Sequence, residues 1–201
     1  MLDLYTLFNN QKVALIGNAE YLLDTQHGAE IDQNDIICRI NKGPELMGRN
    51  SHGNRLGVLF FSHPGWLPNN EISSNVVRIH TSHYFNPSFM NDVDEQKFTT
   101  SVHTDYFFQR TEWEKLKQQI GYTRGKSWPS TGATAISMIV DARPRSLSLY
   151  GFDFKKTYTF YHADKTGDPA TLHDRKRKHD WNLEKLYVEK LISEHPWISL
   201  K

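Results

Sequence analysis

Short apolar runs interrupt an otherwise polar chain, and their length is that of buried strands. Residues 13–16 form one such run, which ends at Gly17, and residues 36–38 form a second, which predicts a strand over residues 36–40. Unbroken apolar runs of about four to eight residues between turn residues are typical of strands covered on both faces. The same pattern predicts further strands over residues 56–61, 76–80, 147–152 and 197–200.

Helical patterns separate several of these strands. Thr111 and Glu114 have the spacing of a capping box, which predicts a helix that ends at Gly121, a residue type favoured at helix C-termini. Ser130 is a candidate N-cap for a second helix, because its side chain can accept from a first-turn N–H. Helical spacing of apolar residues predicts a third, amphipathic helix over residues 181–194. These apolar residues are Leu183, Leu186, Tyr187 and Leu191.

Alternation of strands and helices predicts an α/β fold with a mostly parallel sheet flanked by helices. No internal repeat or Pro/Ser-rich linker divides the chain, so residues 1–201 are expected to form a single domain. In such sheets ligands bind in the crevice beyond the carboxyl ends of the strands. The residues at those ends are Gly17, Asn18, Asn41, Ser62, His63, Gly151 and Phe152.

Charge and composition exclude several classes of protein. The 201 residues include 24 Lys and Arg against 23 Asp and Glu, a formal net charge of +1, which predicts no nucleic-acid partner. No apolar run approaches the roughly 18 residues of a membrane helix, and the first residues lack the basic start of a signal peptide. We therefore expect a cytoplasmic protein with at most peripheral membrane contact, for which the basic run 175–178 is a candidate.

Cysteine and histidine usage argues against disulfides and metals. Cys38 is the single cysteine and lies in an apolar run, which predicts a buried residue and fits a reducing compartment. The ten histidines are scattered, and neither H-E-x-x-H nor a Cys/His cluster occurs. We expect no metal and no cofactor.

Asparagines follow the first two predicted strands. Asn18 comes after Gly17, where a glycine would let a ligand approach the backbone, and Asn41 ends the second strand. An amide side chain can donate to and accept from a base, ribose or phosphate. If the two strands are neighbours, the pair predicts a nucleotide clamp, whereas each taken singly is as well explained by a turn. Neither a dinucleotide-binding glycine motif nor a Walker loop is present.

Two further segments carry candidate chemistry. Ser130, Thr131 and Gly132 open a predicted helix, where free N–H groups and the helix dipole favour an anion; an ordinary N-cap is the alternative. His179 precedes the third predicted helix, so its ring can face a cleft and act as a general base. His162 is a second candidate. For either histidine the alternative is a solvent-exposed side chain.

Taken in order, these segments resemble the motifs of the animal-type sialyltransferases, glycosyltransferase family 29. Residues 13–18, 28–32 and 39–41 are similar to the large sialyl motif of that family. Residues 129–132 and 149–152 are similar to its small motif. The joint match in chain order is far more specific than any single segment.

The resemblance extends to the two short motifs. Tyr161 and His162 fall where the third motif is expected, and His179 with Glu184 has the spacing of the very small motif. The resemblance implies a Rossmann-like glycosyltransferase fold, a CMP-linked donor, inversion at the anomeric carbon and no divalent metal. It also implies that His179 is the general base and that His162 assists the departing phosphate. The implied nucleotide and donor contacts are Gly17, Asn18, Asn41, Ser130, Thr131, Gly132, Gly151 and Phe152.

The chain also departs from the family. Val13 and Arg143 stand at or near the positions of the family's paired cysteines, so that disulfide cannot form. Trp128 replaces the tyrosine expected before the small motif, and the segment between residues 80 and 125 is shorter than in most members. The candidate phosphate or acceptor contacts are therefore Trp128, Arg124, Lys126 and Glu184.

Several functions fit this resemblance. The leading hypothesis is an inverting, metal-independent transferase that moves sialic acid from CMP-sialic acid to a hydroxyl of a glycan or glycolipid. CMP-Kdo is the alternative donor, because Kdo is also an acidic 2-keto sugar attached to CMP. Two other hypotheses are a CMP-sugar hydrolase, in which water replaces the acceptor, and a non-catalytic nucleotide-binding module.

Overall fold

A computed structural model describes residues 2–63, 67–68, 72–81, 105–122, 127–162, 169 and 179–201. In this part of the chain seven strands form one sheet: β1 (Lys12–Ile16), β2 (Ile36–Ile40), β3 (Val58–Phe61), β4 (Val77–His80), β5 (Tyr106–Phe107), β6 (Ser146–Tyr150) and β7 (Ile198–Leu200). The α-helices are α1 (Leu4–Phe8), α2 (Gly28–Asp32), α3 (Arg110–Ile120), α4 (Thr131–Asp141) and α5 (Trp181–Glu194). Short 3-10 helices occupy Glu20–Asp24 and Gly43–Leu46.

The sheet reverses its winding direction at β1. The strand order is β5-β4-β3-β2-β1-β6-β7, so the chain runs outward from β1 to β5 and then returns to β6 on the other side of β1. Every adjacent pair is parallel, and Val13 lies opposite Ile36 of β2 and Leu147 of β6. This confirms the predicted α/β class with a parallel sheet. A switch point of this kind opens a crevice at the carboxyl ends of the strands.

Buried residues cover both faces of the sheet, which is why its central strands are mainly apolar, although β2 also contains the fully buried Arg39. On one face Val13 and Leu15 pack in the main core cluster, which includes residues of α3, α4 and α5. On the other face Ala14 and Ile16 pack with Ile31 of α2. The central strands are therefore held rigidly, and their polar ends project from a fixed frame.

The predicted strands are confirmed with small shifts at their ends. β3 begins two residues later than expected, and β6 ends at Tyr150 rather than at residue 152. Cys38 is fully buried in β2, as predicted, and burial raises the pKa of its thiol. β5 was not predicted, because two residues are too few to show a periodicity.

The start of α3 differs from the prediction. The capping box is formed by Gln109 and Glu112, two residues before the predicted pair Thr111 and Glu114. The Glu112 carboxylate accepts from the Gln109 N–H at 2.9 Å. The predicted end is confirmed, because Gly121 caps the helix with a left-handed φ of 89°. A capping box does open the helix, but it begins at a glutamine, which is a less typical cap than threonine.

α5 has the predicted bounds, and Tyr187 and Leu191 are buried as predicted, but Leu186 is not part of the buried face. Leu186 is 61% exposed, whereas Glu184 is 3% exposed and shares the buried side with Tyr187 and Val188. A carboxyl group tolerates such burial only when protein donors satisfy it. α5 has 14 residues, and within the described ranges no helix combines the length and apolar character needed to cross a membrane.

Candidate active site

A cavity of about 550 Å³ lies beyond the carboxyl ends of the central strands. Gly17, Asn41 and Ser62 line it from the ends of β1, β2 and β3, and Gly151 lines it from the end of β6. The first turn of α4 and the start of α5 also contribute to its wall. The structure thus brings the strand ends predicted from the sequence into one cleft at the switch point of the sheet.

Asn18 and Asn41 are neighbours, as expected for residues that follow adjacent strands. The Asn18 Nδ2 donates to the Ile40 carbonyl at 3.1 Å, which ties the first strand end to the second. Asn41 has a left-handed backbone with φ of 51°, and its Oδ1 accepts from the Ser62 N–H at 3.3 Å. Burial raises the pKa of the Tyr161 hydroxyl, and the side chains of Asn41 and Asn18 act in the opposite direction. The asparagines therefore form an oriented polar patch on the cavity wall.

The glycines of the cleft are required by contacts inside the protein. A Cβ on Gly17 would overlap the Gly151 carbonyl oxygen, because the turns after β1 and β6 meet there. A Cβ on Gly132 would lie 2.9 Å from the Phe152 ring, which packs against the first turn of α4. The neighbouring turn alone therefore requires a glycine at position 17, and because Gly17 also lines the cavity its predicted ligand contact stays a prediction. Phe152 still lines the cavity beside these glycines.

The N-terminus of α4 has the properties of an anion site. Ser130 is the N-cap, as predicted, and its hydroxyl accepts from the Ala133 N–H at 3.1 Å. First-turn N–H groups have no acceptor within their own helix, and the helix dipole adds positive partial charge there. Thr131 and Gly132 belong to this turn and line the cavity. Phosphate is an anion that such a helix end can bind.

Glu184 of α5 holds the start of α4 in place through hydrogen bonds. Its carboxylate accepts from the Ser130 N–H at 2.8 Å, the Ser130 hydroxyl at 2.7 Å and the Tyr122 hydroxyl at 3.0 Å. Burial raises the pKa of Glu184 to about 7, although these donors act in the opposite direction. Both carboxylate oxygens are engaged by protein donors. These hydrogen bonds favour a positioning role, and because Glu184 also lines the cavity its predicted contact with a phosphate or an acceptor stays a prediction.

His179 lies just before α5, where the sequence predicted it, and it lines the cavity. Its Nδ1 is 2.8 Å from the Trp128 carbonyl oxygen, and its ring centroid is 5.1 Å from that of Trp181. A carbonyl oxygen only accepts, so in the neutral ring Nδ1 carries the proton and Nε2 is the basic nitrogen. Trp128, predicted as a ligand contact, thus has a second role through its backbone.

His162 has a different position from His179. Its N–H donates to the Thr159 carbonyl at 3.0 Å, and the resulting turn leaves its ring 6.5 Å from the Tyr158 ring in an edge-on arrangement. The neighbouring residue, Tyr161, lines the cavity, whereas His162 does not. The structure thus brings the second predicted catalytic residue close to the cleft but not into its wall.

Some predicted residues lie outside the described part of the chain, and one residue of the cleft was not predicted. Arg124, Lys126 and the basic run 175–178 lie outside the described residues. Lys155 lines the cavity, although no motif drew attention to it. Its position three residues after the predicted strand end at Phe152 is the only signal that the sequence offers. Within the described ranges, no three His, Cys, Asp or Glu side chains lie close enough together to hold a metal ion.

Among the comparisons with known proteins, the one with solved structures bears on the fold. No family model and no curated protein matches the chain. A solved structure of a mammalian sialyltransferase is 18% identical with a TM-score of 0.66, over 96% of this chain and 69% of its own. A mammalian sialyltransferase in complex with Gal-beta-1-3GalNAc-ortho-nitrophenol is 19% identical with a TM-score of 0.68, over 98% and 71%. A variant of the sialyltransferase CST-II in complex with CMP is 14% identical with a TM-score of 0.59, over 94% and 80%.

At these identities the likeness shows the fold. The chain has an α/β fold similar to that of the sialyltransferases, and the similarity extends over nearly all of its residues. The Rossmann-like architecture that the motif resemblance implied is therefore confirmed.

Proposed function

We propose that the chain is a glycosyltransferase that moves sialic acid from CMP-sialic acid to a hydroxyl of a glycan or glycolipid. One observation carries the proposal: the His179 ring, held by the Trp128 carbonyl, shares a cavity with the asparagine pair and the N-terminus of α4. Structures of this fold include a complex with CMP and a complex with Gal-beta-1-3GalNAc-ortho-nitrophenol. They support a nucleotide-linked donor and a glycan acceptor.

The donor site follows from the geometry of the cleft. Asn18 and Asn41 offer oriented amides for hydrogen bonds to the nucleotide. The Phe152 ring offers an apolar surface to the cytosine base at the same cavity wall. The N–H groups of Thr131 and Gly132 lie in the first turn of α4, at the positive end of the helix dipole, where they can donate to the phosphate.

His179 acts as the general base of the transfer. In its neutral form Nε2 takes the proton of the acceptor hydroxyl while the hydroxyl oxygen attacks the anomeric carbon. The bond between that carbon and the phosphate oxygen breaks, and CMP leaves with the bonding electron pair. Attack from the face opposite CMP inverts the anomeric configuration. The transition state resembles an oxocarbenium ion, as in other glycosyl transfers.

The departing phosphate gains negative charge as the bond breaks. We propose that the N–H groups of Thr131 and Gly132 stabilise this charge and that no divalent metal takes part. A contribution from His162 stays a prediction, because its ring lies beside Tyr158 rather than in the cavity wall. The chain needs no cofactor in this scheme. Because its one cysteine is buried in β2, it also needs no disulfide, and we propose a cytoplasmic location.

The test is a CMP-release assay with CMP-sialic acid and CMP-Kdo in turn, each with and without Gal-beta-1-3GalNAc-ortho-nitrophenol as acceptor. We expect release from CMP-sialic acid that the acceptor accelerates, with a sialylated product detectable by mass spectrometry and a rate that EDTA leaves unchanged. Release from CMP-Kdo but not from CMP-sialic acid would show that CMP-Kdo is the donor. Release that no glycan accelerates would indicate a hydrolase, and calorimetric binding of CMP without turnover would indicate a binding module.

A further inference from the structure

The turn after β6 has an unusual backbone. Phe154 and Lys155 both have left-handed conformations, with φ of 54° and 66°. Residues with a side chain rarely adopt this region, and two in succession need external support. Asp153 supplies it, because its carboxylate accepts from the Lys155 N–H at 3.0 Å and from the Thr157 N–H and hydroxyl at 2.6 Å each. The turn is thus fixed in a strained form.

This conformation directs the Lys155 side chain into the cleft. Lys155 lines the cavity, and its Nζ lies 5.5 Å from the centroid of the Trp181 ring, within the range of a cation–π contact. The centroid of the His179 ring lies 5.1 Å from that of the same Trp181 ring. The ammonium and the proposed base therefore adjoin the same indole.

The ammonium of Lys155 is well placed to receive an anion. Among the described residues that line the cavity, Lys155 is the only lysine or arginine. The described part of the chain gives it no ion pair within 4.0 Å, and the oxygens of Asp153 are engaged by backbone N–H groups and Thr157. Burial lowers the pKa of Lys155 to about 8, against the opposing effect of Asp153. A partly desolvated cation of this kind gains more from a bound anion than an exposed one.

We propose that Lys155 binds an oxyanion of the donor, either the phosphate that joins sugar to nucleotide or the carboxylate of the acidic sugar, and so orients the donor beside His179. The proposal rests on the proposed function, because it takes the ligand to be a CMP-linked acidic sugar. Both groups are oxyanions that a lysine ammonium binds through a charge-assisted hydrogen bond. A contact with the phosphate would distinguish nucleotides from the bare nucleoside, whereas a contact with the carboxylate would distinguish acidic sugars from neutral ones.

The contact with Trp181 offers a purely structural explanation of the same geometry. In that case Lys155 would stabilise the start of α5 and leave ligand binding alone. The two explanations differ in what the side chain must supply. A ligand contact needs the positive charge at Nζ in the cleft, so an arginine can replace the lysine, whereas a neutral chain of similar length cannot.

The chain offers a matched control for this test. Lys155→Met removes the ammonium, keeps the length of the side chain and leaves the backbone preference for the left-handed region almost unchanged. Lys156→Met is the control, because Lys156 is the next residue, is exposed and does not line the cavity. Lys155→Arg restores the charge. Thermal denaturation verifies that each variant folds, and Lys155→Gln is the second neutral variant if the methionine is poorly tolerated.

Isothermal titration calorimetry with cytidine, CMP, CMP-sialic acid and inorganic phosphate tests the proposal. We expect Lys155→Met to weaken binding of CMP-sialic acid by about 10-fold to 100-fold, the effect of one charge-assisted hydrogen bond. Binding of cytidine should be unchanged, Lys156→Met should match the wild type, and Lys155→Arg should recover most of the affinity. An equal loss for CMP assigns the ammonium to the phosphate, and a loss confined to CMP-sialic acid assigns it to the carboxylate.

Two outcomes would overturn the proposal in distinguishable ways. If Lys155→Met binds CMP-sialic acid as tightly as the wild type, Lys155 has no ligand role, and the proposed transferase function is untouched. If the wild type binds no cytidine ligand, the proposed function fails. The titration with inorganic phosphate then tests whether Lys155 binds an oxyanion. Phosphate binding that is lost in Lys155→Met and kept in Lys156→Met supports an oxyanion site, whereas phosphate binding that is absent or unchanged contradicts it.

Discussion

Ser130 donates two hydrogen bonds to Glu184, one from its backbone N–H at 2.8 Å and one from its hydroxyl at 2.7 Å. The same hydroxyl accepts from the Ala133 N–H and caps α4. A residue of α5 thus fixes the first turn of α4, which is the proposed phosphate site. Because His179 lies just before α5, one buried carboxyl links the proposed base to the proposed anion site.

Glu184→Gln should change how stability depends on pH. Burial raises the pKa of Glu184 to about 7 from an ordinary value of 4.5, so the folded state retains the proton over a range in which the unfolded state releases it. The stability from the protonated form is therefore complete below about pH 4.5 and is lost as pH rises through about 7, a change of about 3 kcal/mol. Glutamine stays neutral, so the variant should lack this loss.

The measurement is urea denaturation of the wild type and Glu184→Gln at pH 5 and pH 8. The free energy of unfolding of the wild type should fall more between the two pH values than that of the variant. Equal changes in both proteins would show that Glu184 titrates normally in the folded state.

Tyr122→Phe should impair turnover as well as stability. The Tyr122 hydroxyl donates to Glu184 at 3.0 Å and accepts from the Asp180 N–H at 3.0 Å, so it joins the end of α3 to the segment that carries His179. Its loss leaves buried groups unsatisfied, which costs about 1–3 kcal/mol. Displacement of the base should lower kcat by roughly 10-fold to 100-fold.

Tyr106→Phe is the control for this prediction. The Tyr106 hydroxyl also donates to a carboxylate, that of Glu112 at 3.1 Å, and Tyr106 does not line the cavity. The control should lose some stability and keep its kcat when both variants are assayed well below their melting temperatures. A similar kcat in the two variants would remove Tyr122 from the positioning of His179.

Gly17→Ala should destabilise the fold strongly. The added Cβ would overlap the Gly151 carbonyl oxygen, and both groups belong to backbone that is fixed by the sheet. Overpacking that displaces backbone costs about 1–3 kcal/mol or more. In Gly57→Ala the nearest heavy atom to the added Cβ is 3.5 Å away, an ordinary contact, so this control should stay within about 1 kcal/mol of the wild type. Thermal denaturation of both variants checks the difference, and equal melting temperatures would contradict it.

The central sheet was predictable because its strands are buried on both faces. Short apolar runs marked β1 and β2, and their adjacency brought Asn18 beside Asn41 as expected. Leu186 was assigned to the buried face of α5 by spacing alone, yet Glu184 is buried and Leu186 is exposed. Periodicity counts apolar side chains, and it cannot detect a carboxyl group that distant hydrogen-bond donors make compatible with the core.

Lys155 shows why part of the site could not be predicted. Its side chain reaches the cleft because Asp153 holds a left-handed turn, and nothing in the local sequence marks that backbone conformation. His162 was selected by motif position, but in a tight turn consecutive side chains point in different directions, and Tyr161 lines the cavity instead. Buried strands and helices can be predicted from apolar patterns in a sequence, whereas side-chain directions in loops depend on contacts that form only in the fold.

His179→Ala should abolish most of the turnover while leaving donor binding almost unchanged. Its Nδ1 hydrogen bond to the Trp128 carbonyl makes Nε2 the basic nitrogen, which the mechanism uses only while the acceptor hydroxyl loses its proton. Loss of a general base lowers kcat by on the order of 100-fold or more, and an effect confined to the transition state leaves the Kd of CMP near the wild-type value. His195→Ala is the control, because His195 caps the opposite end of α5 and packs on Trp197 outside the cavity. Steady-state kinetics with calorimetry on both variants make the comparison, and near-normal kcat in His179→Ala would exclude His179 as the base.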